Sequence, residues 1–310
     1  RAGASGPVIT YLPLPHPSGL AIDKKRHVVY LASTRNPNQV IDLVPARVGK
    51  ERPLIPVRSR FLPGRLYLHD LAVIEGKLYA TAVGENSIVQ ILDDGRCKRV
   101  WWPKAIERSG GPRFDQNYLQ LNSIAAGTSL SKSFFTASTD KISNRRPGHQ
   151  NFPVDKRGVI FSGATREPVV TGLTRPHSAR LYRRRLWVDN SGYGELCVVN
   201  GQGFDTVTRL PGWTRGLCFQ KSIAFVGTSR VIPRFRQYAP GLNVRQSECG
   251  VHAVDIQTGK VLGSLIWPEG NQIFSIEAAP QKFFSGLPFS TGTKRSLEEE
   301  KELFYAFELA

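Results

Sequence analysis

Six times along the chain, a short apolar run with a distinctive residue near its start is followed by a second strand-like run. This repeat restricts the fold more than any other feature. The clearest copy is Gly172-Leu-Thr-Arg-Pro-His-Ser-Ala-Arg-Leu-Tyr182, then a basic turn, then Arg185-Leu-Trp-Val-Asp-Asn190. His16–Asp23 precedes Val28–Ser33 in the same way, Leu68–Val73 precedes Leu78–Val83, and Leu121–Ala126 precedes Phe134–Ser138. Thr214–Phe219 precedes Ile223–Gly227, and Ile273–Ala278 precedes Lys282–Gly286. Equivalent positions are Ser18, His69, Asn122, His177, Arg215 and Phe274, spaced 38 to 59 residues apart. A loose period of about fifty residues made of short strands is the mark of a β-propeller, one sheet per blade around a central channel. Six copies predict an all-β, six-bladed propeller of four-stranded blades, with residues 1–310 as one domain and inner strands starting near 18, 69, 122, 177, 215 and 274.

The punctuation agrees. Apolar segments are four to seven residues long, rich in Val, Ile, Phe and Tyr, and separated by Gly, Pro, Asn and Asp. Pro168–Leu173, Asp205–Leu210 and Lys260–Leu265 read as outermost strands, each just before the next inner strand. Val8–Leu14 looks like them but has no blade before it. It is expected to pair with Leu303–Phe307 in the last blade and so close the ring, the usual answer to open sheet edges.

Composition narrows the class. No apolar run is long enough to span a membrane. The four cysteines (Cys97, Cys197, Cys218, Cys249) show no metal or disulfide spacing, which fits isolated thiols in a reducing compartment and a cytoplasmic location. The net charge of +17 is spread through nearly every repeat rather than massed in one tail. Nucleic-acid binding therefore rests on charge alone and ranks last among the partners considered.

Two long insertions, 138–158 and 228–250, fall between the second and third strands of their blades. Such loops open on the same face as the connection into the inner strand, so both should crowd one mouth of the channel. They carry Arg145, Arg146, His149, Arg230, Arg234 and Tyr238. Guanidinium forks suit carboxylate, phosphate or sulfate, and aromatic faces suit a sugar ring. With His69, Asn122, His177 and Arg215 these residues make a candidate site for an anionic small molecule, with or without a sugar. His69 and His177 are also candidate ligands for a divalent metal or a proton-transfer pair, which would make the protein a hydrolase, lyase or epimerase. A protein-interaction scaffold is the other alternative, and it would have a channel plugged by apolar side chains. No Ser-His-Asp order, P-loop or dinucleotide fingerprint is present.

Leu121–Gly127, Asn144–Asp155, Thr174–Arg180, Pro211–Gly216 and Gly227–Phe235 together resemble a bacterial family of conserved hypothetical propeller proteins, a domain of unknown function. The resemblance is best between about residues 117 and 280. It implies a six-bladed propeller fold and no particular reaction, so no residue role is carried over. Six-bladed lactonases use the same mouth, but a calcium site of their kind needs several carboxylates, and only Asp70 is on offer at the equivalent positions.

Overall fold

A computed structural model describes residues 9–34, 38–47, 51–268, 270–280, 283–290 and 308–309. It is an all-β propeller, and among the described residues it has five blades, not six. The inner strands are Pro17–Asp23, Leu68–Ile74, Leu121–Ala125, Pro176–Tyr182 and Trp213–Gln220. Each starts an antiparallel meander of four strands running outward in chain order. Blade 1 also takes in Glu308–Leu309, paired with Ala46–Arg47. Among the described residues no helix is long and apolar enough to cross a membrane.

Among the described residues, the sixth copy of the repeat forms no blade. Ile273–Ala278 carries no strand ladder and lies instead along blade 5. There Ser229 Oγ exchanges hydrogen bonds with the Ile273 backbone, and Arg230 N donates to Asn271 O. The run that should have paired with it is drawn elsewhere. Phe283, Phe284 and Leu287 pack with Leu12 and Leu14 on the apolar face of blade 1, against Val29, Leu31, Ile41 and Leu43. Leu54 N donates to Gly286 O, and Ser285 N to Arg52 O. Burying a large aliphatic or aromatic side chain is worth about 1.5–3 kcal/mol, which a lone hairpin at the end of the chain does not match. The expected ring closure also differs. Thr10–Tyr11 pairs with Phe289–Ser290 in a two-stranded sheet, while Val8 and Leu303–Phe307 lie outside the described residues.

Apolar clusters between successive blades hold the five sheets face to face. Tyr79, Ile88 and Trp101 of blade 2 meet Ile124, Phe135 and Phe161 of blade 3, and Trp187 and Leu196 of blade 4 meet Leu217 and Val226 of blade 5. Alternation along each strand accounts for this, since neighbouring residues serve opposite interfaces.

Every inner hairpin loses register at the same level, at Pro17/Leu20, Leu68/Leu71, Leu121/Ser123, His177/Arg180 and Thr214/Leu217. A bulge re-aims the residues it contains. Here the shift falls at or beside two consecutive positions of each inner strand, and these positions form two rings around the channel. One ring is Ser18, His69, Asn122, His177 and Arg215, and the next is Gly19, Asp70, Ser123, Ser178 and Gly216. The second ring ties each blade to its successor: Ile124 N donates to Asp70 Oδ2 (3.0 Å), Ala179 N to Ser123 Oγ (3.0 Å) and Gly216 N to Ser178 Oγ (2.7 Å). Gly19 cannot do this, because a Cβ there would lie 2.7 Å from the Asp70 backbone. Ser18 Oγ bonds Leu68 O in its place (2.8 Å).

The second strand supports the bulge. Thr81 Oγ1 accepts from the backbone of His69 and Asp70, and Thr136 Oγ1 accepts from Ser123 N. In blade 4 that position is Asp189, fully buried, with neither carboxylate oxygen hydrogen-bonded among the described residues. Burial pushes its pKa well above the ordinary carboxylate value, while Arg180 and the Ser178 hydroxyl pull more weakly the other way. A carboxyl raised in the fold binds its proton more tightly there than when unfolded. Its contribution is whole below the unfolded pKa and declines as pH rises toward the folded one. Asp189→Asn should therefore raise the denaturant midpoint at pH 8 and much less at pH 4. An equal gain at both values would show that Asp189 is ionised in the fold.

Candidate functional site

The mouth above the first ring opens as a cleft of about 570 Å³, within the usual range for a small-molecule site. Its base is set by the bulges and its rim by the residues two positions before each ring residue. Those are His16, Tyr67, Gln120, Arg175 and Trp213, and the first four adopt left-handed backbone with φ of 45°, 51°, 51° and 54°. None is glycine, so each stores strain, which characteristically gathers at ligand clamps. His16, Gln120, Arg175 and Trp213 all line the cleft. His16, Gln120 and Arg175 were missed in the sequence as site residues.

Arg175 is held from behind. Thr174 N donates to Asn190 Oδ1 (2.6 Å) and Thr174 Oγ1 to Asp155 Oδ1 (2.9 Å), which fixes the turn that precedes it. Its guanidinium donates to Gln120 Oε1 (2.8 Å) and lies 4.4 Å from the Tyr238 ring centroid. Arg215 is held in the same style. It donates to Gln272 Oε1 (3.0 Å), lies 4.8 Å from the Phe274 centroid and 5.9 Å from that of Trp213, and approaches His177 Nε2 at 3.4 Å. Both arginines are buried, and neither has a carboxylate partner among the described residues. Burial lowers Arg175 to about 10. Burial and the Arg175 charge lower Arg215 to about 9.

The lower end of the channel is built the other way. Arg180 sits there between Asp70 (3.2 Å) and Glu277 (3.5 Å), and the two carboxylates hold its pKa above the ordinary value. Cations near the floor are paired; those at the mouth are not. A buried guanidinium without a counter-charge is costly unless a ligand supplies one.

His69 lines the cleft beside these cations. Burial, then Arg215 and Arg175, lower it to about 3, and the same causes in the same order push His177 well below its usual value. Asn122 is buried in the same ring. Its Nδ2 donates to Pro176 O (3.1 Å), leaving Oδ1 without a partner among the described residues, beside His69.

The other expected residues divide. Arg234 and Tyr238 line the cleft, both from the 3₁₀ helix Pro233–Tyr238. Tyr238 OH accepts from Gly148 N (3.1 Å) and donates to His149 O (3.3 Å), so it ties the two long loops together. Arg145, Arg146 and His149 belong to the tied loop but do not line the cleft, which meets that loop at Gly148. Arg230 is also away from it. Its side chain donates to Pro268 O (2.9 Å) and so pins the segment that delivers Gln272 and Phe274. Aromatic residues are present as expected, but they chiefly carry guanidiniums, and Arg234 itself lies over Phe235 at 4.8 Å.

Among the described residues, no group of three or more His, Cys, Asp or Glu is placed to hold a metal. A divalent cation on His69 and His177 would also stand against the Arg175 and Arg215 charges. The arrangement suits negative charge. It also predicts that the His69 and His177 imidazoles remain neutral at pH 5 in the empty protein, as read from their ring ¹⁵N shifts. Protonation of both between pH 6 and 7 would contradict the burial and charge assigned to them.

A family described as "Domain of unknown function (DUF4915)" matches residues 5–285, so the chain belongs to it. No curated protein matches the chain. A gluconolactonase of Xanthomonas campestris has a similar structure, with a TM-score of 0.56 at 13% identity over 85% of this chain and 80% of that one. A chain of a nidogen/laminin complex also reaches 0.56, at 11% identity, over 84% and 83% of the two chains. The PQQ-bound aldose sugar dehydrogenase of Streptomyces coelicolor reaches 0.51 at 12% identity, over 88% and 89%. Likeness at these identities is of fold alone.

Proposed function

We propose that this member of the DUF4915 family binds a small molecule bearing an oxyanion in the mouth of its propeller, with the acidic group between Arg175 and Arg215. The observation that carries the reading is the pair of buried guanidiniums, uncompensated among the described residues, on one cleft with no Asp or Glu among its lining residues. Each has one nitrogen on a glutamine oxygen and an aromatic ring against it, so it is oriented before any ligand arrives. Pre-orientation of this kind reduces the ordering cost of binding. Carboxylate, phosphate and sulfate all match the guanidinium fork.

A sugar acid is the favoured occupant. Phe235 and Phe274 border the cleft and are only partly buried, which leaves apolar area for a ring. Two of the structurally similar proteins are named for action on sugars, a gluconolactonase and an aldose sugar dehydrogenase, which agrees with that choice. The polar ring of Ser18, His69, Asn122, His177 and Arg215 speaks against an apolar-plugged scaffold.

Arg175→Met and Arg215→Met test the reading. Each should weaken the binding of sulfate and of gluconate at least tenfold by isothermal calorimetry. Each should also leave the thermal midpoint in anion-free buffer equal or higher, because an unpaired buried charge has been removed. Unchanged affinity in both variants would refute the site.

A further inference from the structure

The imidazoles beside the arginines have no role in the account so far. His69 reaches the cleft wall. His177 lies behind it with Nε2 3.4 Å from the Arg215 guanidinium. His177 is buried and His69 half-buried, in the same ring as Arg215 and below Arg175 on the rim. Resting on the proposed anion site, we propose that the cleft binds its anion together with a proton, taken up by the His69–His177 pair. The protein would then act as a receptor for an acid and not for the bare anion.

Charge cancellation drives the uptake. In the empty cleft, two guanidiniums oppose any third positive charge, and both imidazoles are neutral acceptors. An oxyanion seated on Arg175 and Arg215 cancels that opposition and brings oxygen acceptors within reach of the rings. A ring that takes a proton becomes a donor to the same anion, and the proton forms an N–H bond on imidazole with no other bond made or broken. Asn122 favours His69 for this step. Its Nδ2 is fixed on Pro176 O, so Oδ1 is left to accept one ring N–H and direct the other ring nitrogen away.

The remaining ionisable groups around the pair do not substitute for it. Arg175 and Arg215 stay cationic between pH 5 and 8, and Tyr238 OH is engaged with the loop backbone. Asp70, next to His69, is occupied by Arg180 and two backbone N–H groups. Asp189, the strand partner of His177, opposes its own ionisation through burial. His16 on the rim is the other imidazole among the residues lining the cleft.

Linkage fixes the sign. If binding takes up one proton, affinity rises as pH falls, approaching tenfold per pH unit where the uptake is complete. The probes are inorganic sulfate and gluconate, whose own charges are constant between pH 5 and 8, titrated into the whole protein by calorimetry. Measurements in two buffers of different ionisation enthalpy count the protons directly. Uptake approaching one proton per sulfate is expected, with affinity at pH 5.5 at least tenfold above that at pH 8. H69Q and H177Q should each flatten the slope, whereas H16Q and H149Q should retain it. Sulfate that binds with no proton uptake and a flat pH profile would overturn the proposal while leaving the anion site intact. A slope abolished by H16Q alone would overturn it too, by moving the proton to the rim. If neither probe binds at any pH, it is the underlying anion reading that fails.

Discussion

The chemistry at the mouth depends on a loss of register in the first hairpin of every blade. An undisturbed two-residue alternation would send successive side chains into opposite blade interfaces, where they would be apolar. The shift in each inner hairpin disturbs that rule for the residues around it. His69 and Arg215 of the first ring line the cleft, while Asp70, Ser123 and Ser178 of the second bond the backbone of the following blade. The same deviation therefore both couples the blades and sets out a ring of functional side chains. Substitution in that ring is free only where it leaves the second ring's hydrogen bonds in place.

Charge in this molecule is organised vertically. At the floor Arg180 is shared by Asp70 and Glu277. At the mouth Arg175 and Arg215 are buried but face glutamine oxygens and aromatic rings, which orient a cation without neutralising it. The net charge of +17 contributes little to this contrast, since most of it lies on exposed side chains where water screens it. What distinguishes the site is desolvation. The same residues in water would bind an anion weakly, and their neighbours His69 and His177 would titrate normally.

Much of the ring was legible in the sequence. Ser18, His69, Asn122, His177 and Arg215 each interrupt an apolar run at one phase of the repeat, and that interruption survives low similarity between blades. The rim was not legible in the same way. His16, Tyr67, Gln120 and Arg175 share a backbone conformation and no chemical character, and left-handed non-glycine residues leave no compositional mark. The sixth blade failed for a different reason. Ile273–Ala278 has the pattern of an inner strand and does lie along the channel, supplying Phe274, beside the preceding Gln272, above and Glu277 below. Its pairing, however, was decided by competition with the apolar face of blade 1 for Phe283, Phe284 and Leu287, which periodicity within one segment does not reveal. Arg230 shows the limit of residue-type reasoning: an arginine on the right loop serves a backbone carbonyl and not a ligand.

The central claim is that Arg175 and Arg215 together form one anion site. Crystals grown at neutral pH with selenate in place of other anions would test it directly, because anomalous scattering locates selenium without reference to the surrounding protein. The account predicts a selenate inside the cleft within hydrogen-bond distance of both guanidiniums. Selenate bound only at surface arginines, with the cleft between Arg175 and Arg215 holding water alone, would contradict it.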